Sequence, residues 1–163
     1  EFLDFFVRKA CCDQKEFELT TPEDFLRLHP THQVATPAAS SWGEGGYRRV
    51  WLNEKNKWIY PHLRIAQDRM TELARRFPQP TPLQERALKQ AARELLLAQA
   101  SDWPFILRTE TSSGYARKRV KEHLLRFTRL YEQLTAGEPD PEWLKQVEWQ
   151  DNLFPDVDYR YWA

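Results

Sequence analysis

Three long stretches of the sequence carry apolar residues at every third or fourth position, and this periodicity constrains the fold more than any other feature. They lie at 56–77, 82–101 and 113–136. Such spacing gives each helix one apolar stripe, which must be buried against another element. The connectors between the stretches are short, so neighbouring helices are expected to run antiparallel. The sequence therefore predicts an antiparallel helical bundle.

Residues that start and stop helices support this pattern. Thr81 and Asp140 each stand directly before a proline, the order expected for an N-cap followed by the first helical position. Asp140 is predicted to open a fourth, short helix over 140–151, and Gly137 to end the helix before it. The segment DWPFIL at 102–107 is expected to interrupt or end the second long helix.

The first 50 residues have a different character. We predict a helix over 1–12, a short buried strand at 17–20 (FELT), a helix that starts at Thr21 and an extended segment over 31–37. This alternation is typical of α/β proteins, although it is too short to close a sheet alone. The predicted fold class is mainly α, with the last elements of an α/β domain at 1–52 and a helical domain at 53–163.

Charge and composition exclude several classes of protein. The 24 basic and 24 acidic residues cancel, which argues against a general nucleic-acid binder. The basic run at 117–129 is interpreted as a solvated helix face, partly paired with acids. No stretch is apolar enough to span a membrane. Cys11 and Cys12 are adjacent and without a third cysteine, so we expect a reducing, cytoplasmic location and two buried, unreactive thiols.

Histidine spacing predicts no metal site. His29 and His32 have a proline between them and do not share a helix face. His123 lies on the apolar stripe of its predicted helix, where a hydrogen-bonded core histidine is expected.

Two segments combine tryptophan with an acidic residue at a break in regular structure. They are SSWGEGGYRRVW at 40–51 and SDWPF at 101–105. Sugar sites need this mixture, because the ring stacks on an indole while its hydroxyls bond to carboxylates. The same tryptophans would also serve as core anchors between the bundle and the preceding residues. The pattern alone leaves both interpretations open.

Glycosidic bond cleavage needs two carboxyl groups, about 5–5.5 Å apart when configuration is retained. Four acidic residues are candidates by residue type alone: Glu44, Asp102, Glu110 and Asp151. Their spacing in the sequence does not make any two of them a pair.

Six segments occur in an order that identifies a resemblance. They are ELTTPEDFL, PTHQVATPAASSWGEGGYRRVWLN, KWIYPHL, AARELLLAQASDWPFIL, YARKRVKEHLLRFTRLYEQL and EWQDNLFPDVDYR. Together they resemble the C-terminal part of the glycoside hydrolase family 57 enzymes that branch 1,4-α-glucans. The resemblance implies an incomplete (β/α)₇ barrel that ends within 1–52, followed by an α-helical domain at 53–163 that closes over the active-site cleft.

The resemblance also implies a reaction. A Glu nucleophile and an Asp acid/base would cleave an α-1,4-glucan and transfer the chain to a 6-hydroxyl, forming an α-1,6 branch with retention. In the family both carboxylates lie upstream of the matched region. No catalytic residue is therefore assigned in this chain, which is expected to be inactive alone. No metal or organic cofactor is implied, and the expected partners are an α-1,4-glucan and the upstream barrel.

Substrate contacts carry over to particular residues. Trp42 and Trp51 match the two tryptophans that border the cleft, and Asp102 and Trp103 match the helical segment that reaches it. Asp102 is expected to bind sugar hydroxyls, with Trp103 packed beside it. Two alternatives remain: a family 57 4-α-glucanotransferase or α-amylase, or a non-catalytic helical module that binds glucan or a partner protein. Without a barrel, the apolar face of 2–7 and the tail at 159–162 are expected to be exposed and prone to association.

Overall fold

The computed structural model describes residues 1–163 and contains helices but no β-strand. The α-helices are α1 (Phe2–Cys11), α2 (Pro22–Leu28), α3 (Ile59–Arg76), α4 (Pro82–Ala98), α5 (Asp102–Thr109), α6 (Ser113–Ala136) and α7 (Pro141–Gln150). Short 3₁₀ turns occur at Glu44–Gly46, Arg48–Val50 and Tyr159–Trp162. Contacts between Cα atoms divide the chain into two units, 1–39 and 40–163.

The first unit consists of two helices held by local interactions. Thr21 caps α2 as predicted, because its hydroxyl accepts a hydrogen bond from the backbone N–H of Asp24 at 3.2 Å. Ala10 is the one buried residue of α1. Phe2 and Phe5 are 78% and 67% exposed, so the apolar face of α1 is open, as expected from the sequence.

Two predictions for the first unit are wrong. Residues 17–20 form no strand and are exposed, because a strand needs a hydrogen-bonding neighbour and the chain contains none. The α/β part of the predicted fold class therefore has no β element here. Cys11 and Cys12 are exposed rather than buried, since nothing in the unit covers the end of α1. The predicted domain boundary at 52/53 stays a prediction.

The second unit is the predicted helical bundle. α4 packs against α3, α6 and α7. Its stripe is buried as predicted, and the main core includes Met70 and Leu73 of α3, Leu88 and Leu95 of α4, and Phe127 of α6. A second, smaller cluster consists of Ile59, Leu107, Ala116 and Val120.

Capping residues fix the helix ends. Thr81 and Gln84 form a capping box, and Asp140 accepts hydrogen bonds from two backbone N–H groups of α7. The predicted break at 102–107 is in fact a separate helix, α5, which packs against α6. It ends at Glu110, whose φ of 61° places the residue in the left-handed region.

Tyr159 anchors the tail, and half-buried Trp162 also packs against the main core. Tyr159 is 1% exposed and donates a hydrogen bond to the carbonyl oxygen of Phe77 at 2.7 Å. The prediction that 159–162 is wholly exposed is therefore wrong for Tyr159, whereas Tyr161 is 84% exposed. None of the helices combines the length and the apolar character that crossing a membrane requires.

Candidate functional site

The glycine-rich segment forms a tightly closed loop. The Ser41 hydroxyl donates to the carbonyl oxygen of Tyr47 at 2.7 Å. A Cβ atom on Gly43 would lie 2.1 Å from that same oxygen, so only glycine fits there. Gly45 and Gly46 have φ values of 65° and 77°, which side chains rarely adopt. Close approach and backbone conformation therefore both require the glycines.

Three aromatic rings meet beside this loop. The Trp42 ring lies 6.4 Å from that of Trp51 and 6.0 Å from that of Phe105, measured between centroids. The Trp51 and Phe105 centroids are 6.2 Å apart. The Trp42 and Phe105 rings are stacked at an interplanar angle of 28°, whereas the Trp51 ring is tilted against them by 33° and 37°. We call Trp42, Trp51 and Phe105 the aromatic patch. Trp42 is 80% exposed, so the patch presents a flat indole to solvent.

Contacts from the bundle hold the loop next to α5. The Tyr60 hydroxyl donates to the carbonyl oxygen of Trp51, and partial burial raises the pKa of Tyr60. Glu44 pairs with Arg108 of α5 at 2.6 Å. The first contact links the loop to α3 and the second links it to α5.

The sequence predicted Asp102 and Trp103 at this site, and in the structure the two residues have different environments. Asp102 is exposed, begins α5 and makes no ion pair or side-chain hydrogen bond. It lies three residues before Phe105, one turn away on the helix. Trp103 is half-buried against the second core cluster, and its indole N–H donates to the carbonyl oxygen of Leu97 at 2.7 Å. Glucan contact by these residues stays a prediction.

Sequence reasoning missed Phe105. The signal available was its place in SDWPF, one turn beyond Asp102. Its meeting with Trp42 and Trp51 depends on packing between segments more than 50 positions apart, which no local pattern encodes.

Of the four carboxylates suggested by residue type, three are engaged by cations. Glu44 pairs with Arg108, and Glu110 pairs with Lys55 at 2.8 Å, which lowers the pKa of Glu110. Asp151 is buried and bonded to the Arg126 guanidinium at 2.5 Å. Of these four carboxylates, Asp102 is the one that has no protein partner and is free to bind a ligand.

A charged groove adjoins the loop. It has a volume of about 300 Å³ and is lined by Glu44, Arg49, Asn53, Glu54, Lys55 and Arg108. Two of its cations, Lys55 and Arg108, are in ion pairs, whereas Arg49 is in none. The groove extends the polar surface next to the exposed indole.

A buried polar network lies in the bundle, away from the loop. Glu94 Oε2 is 2.7 Å from Nδ1 of His123, whose Nε2 has no partner. Gln90 donates to Glu94 Oε1 at 2.8 Å, and Asp151 Oδ2 lies 3.8 Å from His123 Nδ1. Burial is the main cause of the raised pKa of Glu94, and the hydrogen bond from His123 opposes it. His123 is thus a core histidine, as predicted, but only one of its two ring nitrogens is hydrogen-bonded.

Three side chains of this network are of types that bind metals. One donor atom each from Glu94, His123 and Asp151 lies within 4.8 Å of the others. Arg126 and Arg119 already approach Asp151 at 2.5 and 3.5 Å. The negative charge is therefore balanced by protein cations, and the network ties α4 and α6 to the residues after α7.

The basic run at 117–129 is partly paired, as predicted. Lys118 lies 3.7 Å from Glu122, and the Arg117 guanidinium lies 5.8 Å from the Trp58 ring centre. Arg119 also pairs with Glu122, at 3.1 Å, and both Arg119 and Arg126 reach buried Asp151. Much of the positive charge of this run is thus engaged in contacts within the molecule.

Comparison with known proteins defines the family. Residues 62–162 match the family model for the C-terminal part of the 1,4-alpha-glucan branching enzymes. The chain belongs to this family. The match covers α3 to the end of the tail, and therefore most of the helical bundle.

Similarity to individual proteins agrees with this family assignment. A 1,4-alpha-glucan branching enzyme of Thermococcus kodakarensis is 36% identical over 150 residues, which cover 88% of this chain and 22% of that protein. The crystal structure of a family 57 branching enzyme from the same archaeon, solved with glucose and additives, matches 91% of this chain and 28% of its own at a TM-score of 0.81 and 34% identity.

The alpha-amylase AmyC from Thermotoga maritima is also similar, with 40% identity over 99% of this chain and 29% of its own and a TM-score of 0.71. The chain thus spans between a fifth and a third of the length of these relatives. The branching-enzyme family is shown for the chain, which corresponds to the C-terminal portion of such proteins.

Proposed function

We propose that the aromatic patch and Asp102 form the glucan-binding surface that this chain contributes to a 1,4-α-glucan branching enzyme. The observation that carries the proposal is the meeting of Trp42, Trp51 and Phe105 beside an acid without a protein partner. Membership in the branching-enzyme family supports the substrate class.

The chemistry of the patch suits an α-1,4-glucan. The C–H face of a glucose ring stacks on an exposed indole, and Trp42 offers such a face. Sugar hydroxyls donate well to a carboxylate, and Asp102 has both of its oxygens available. Trp103 acts by packing beneath this surface, through its hydrogen bond to the carbonyl oxygen of Leu97.

We propose that the chemical step belongs to residues outside this chain. It is a retaining double displacement by a Glu nucleophile and an Asp acid/base of an upstream barrel, with a 6-hydroxyl as acceptor. The limited share of each relative that the chain covers supports this division. So do the cations that hold Glu44, Glu110 and Asp151. The chain alone is proposed to be inactive, in a cytoplasmic enzyme that needs no cofactor.

A second reaction is favoured by one observation. The similarity to an alpha-amylase at 40% identity supports hydrolysis, with water in place of the acceptor sugar. A 4-α-glucanotransferase would use a 4-hydroxyl instead. Product analysis of the intact protein decides among them, since new α-1,6 linkages arise only in branching. A non-catalytic glucan-binding module would give no new product at all.

Asp102→Ala in the intact protein tests the site. We expect formation of α-1,6 linkages to slow by about tenfold or more, because a hydrogen bond to a charged group contributes about 1.5–3 kcal/mol. The free energy of unfolding should fall by no more than about 1 kcal/mol, since Asp102 is exposed and unpaired and acts on stability only as a first-turn acid of α5. The matched control is Asp156→Ala, another exposed and unpaired aspartate. Equal activity in the two variants would remove Asp102 from the site.

A further inference from the structure

Asn56 is a fully buried amide side chain between the glycine loop and α5. Its nitrogen donates one hydrogen bond to the carbonyl oxygen of Val50 at 2.8 Å and another to that of Pro104 at 3.1 Å. Its oxygen accepts a hydrogen bond from the backbone N–H of Asn53 at 2.8 Å. Both amide hydrogens and the oxygen are therefore in use, which fixes the orientation of the group.

The two carbonyls bonded by Asn56 have a particular place in the chain. Val50 directly precedes Trp51, and Pro104 directly precedes Phe105. One side chain thus holds the peptide units that carry two of the three rings of the aromatic patch. Asn56 and Pro104 are 48 positions apart in the sequence, so the contact joins segments that local structure does not hold together.

We propose that Asn56 is a positioning residue that sets the geometry of the aromatic patch, and through it the affinity for glucan. The affinity part rests on the proposed function of the patch. Two ion pairs also link this region to α5, Glu44 with Arg108 and Lys55 with Glu110, but both are solvent-exposed and each contributes little. The Asn56 side chain, by contrast, is fully buried, where an unpaired polar group is costly.

The chemistry requires an amide at this position. Aspartate has nearly the same shape but offers only acceptors when ionised, so Asn56→Asp would set a carboxylate oxygen against two carbonyl oxygens. The bond from the Asn53 N–H would remain. The substitution therefore removes the two donors and leaves the size of the side chain unchanged.

Asn53 supplies a matched control in the same turn. Its side-chain nitrogen donates to the carbonyl oxygens of Arg49 and Val50, at 2.8 and 3.2 Å, and does not reach α5. Asn53→Asp makes the same chemical change as Asn56→Asp but leaves the link between the loop and α5 in place.

The experiment measures geometry and binding separately in the intact protein. Trp42 and Trp51, at 6.4 Å, are close enough for exciton coupling in the circular dichroism spectrum. We expect Asn56→Asp to lose this coupling and to bind maltoheptaose about tenfold more weakly, with the helical signal retained. Asn53→Asp should keep the coupling and stay within about twofold of the parent affinity.

The outcomes separate this inference from the proposed function. Unchanged coupling and affinity in folded Asn56→Asp overturn the positioning role, even if Trp42→Ala abolishes binding. If Asn56→Asp loses the coupling but the parent protein does not bind maltoheptaose, Asn56 positions the rings as proposed. The proposed effect of Asn56 on glucan affinity is then overturned.

A second variant applies if Asn56→Asp fails to fold. Asn56→Ser keeps one donor, which serves one carbonyl at most, so both coupling and affinity should fall partway. In the intact enzyme the KM for glucan should rise while kcat is largely kept. If Asn56→Ser has the same exciton coupling and the same KM as the parent protein, the proposal is overturned.

Discussion

The two units of the chain contrast in what holds their helices. Both use the same local devices, since Thr21 caps α2 and Thr81 caps α4. In residues 1–39, Ala10 is the one buried apolar residue, whereas 40–163 contains the whole of both core clusters. Local signals therefore specify where a helix starts, and burial of an apolar stripe determines whether it is stabilised.

The largest expected effect tests this contrast directly. Leu95 is fully buried in α4, whereas Phe5 of α1 is 67% exposed. Leu95→Ala should lower the free energy of unfolding by about 2–5 kcal/mol, through lost burial and the cavity left behind. Phe5→Ala should change it by less than about 0.5 kcal/mol. Urea denaturation followed by helical circular dichroism measures both, and equal losses would show that α1 is covered in the protein.

A second contrast concerns charge. The ion pairs of the first unit, such as Arg27 with Glu23, are exposed, whereas Glu94 of the second unit is buried among His123, Asp151 and Gln90. Burial raises the pKa of Glu94, so the native state favours its protonated form. Its stabilising contribution is complete below the pKa of the unfolded carboxyl and is lost as the pH rises through the folded value.

Glu94→Gln tests that contribution. The free energy of unfolding of the parent, minus that of the variant, should decrease as the pH rises over this window. Because Glu94 shares a hydrogen bond with His123, the difference reports on the two groups together. Glu23→Gln, the exposed counterpart in α2, should give a difference that is small at every pH. A difference for Glu94→Gln that stays flat or increases with pH would contradict the assignment.

The same contrast explains what the sequence could predict. Starts of α4 and α7 followed from Thr81 and Asp140, because a cap and a proline act within one turn. The strand at 17–20 was wrong because pairing depends on a neighbour that the local pattern cannot supply. Likewise the burial of Cys11 depends on what covers the helix and not on the helix itself.

The candidate site divides in the same way. Trp42, Trp51 and Asp102 were singled out by the mixture of tryptophan and acid in their segments and assigned to the site by the family resemblance, and their contact with glucan stays a prediction. Phe105 and Asn56 were missed, since their roles arise from contacts between the loop and α5. Long-range packing completes the patch, and periodicity and motif analysis do not report it.

The most direct measurement compares glucan binding by two variants of the intact protein, each of which has one tryptophan replaced by alanine. Trp42 in the patch and Trp149 on α7 are similarly exposed, at 80% and 86%, so exposure alone predicts equal effects. Titration with maltoheptaose should show that Trp42→Ala weakens binding by about 1–3 kcal/mol, through loss of the stacking face. Trp149→Ala should leave the affinity unchanged. Equal affinities in the two variants, or a larger loss for Trp149→Ala, would contradict the assignment of the glucan site to the aromatic patch.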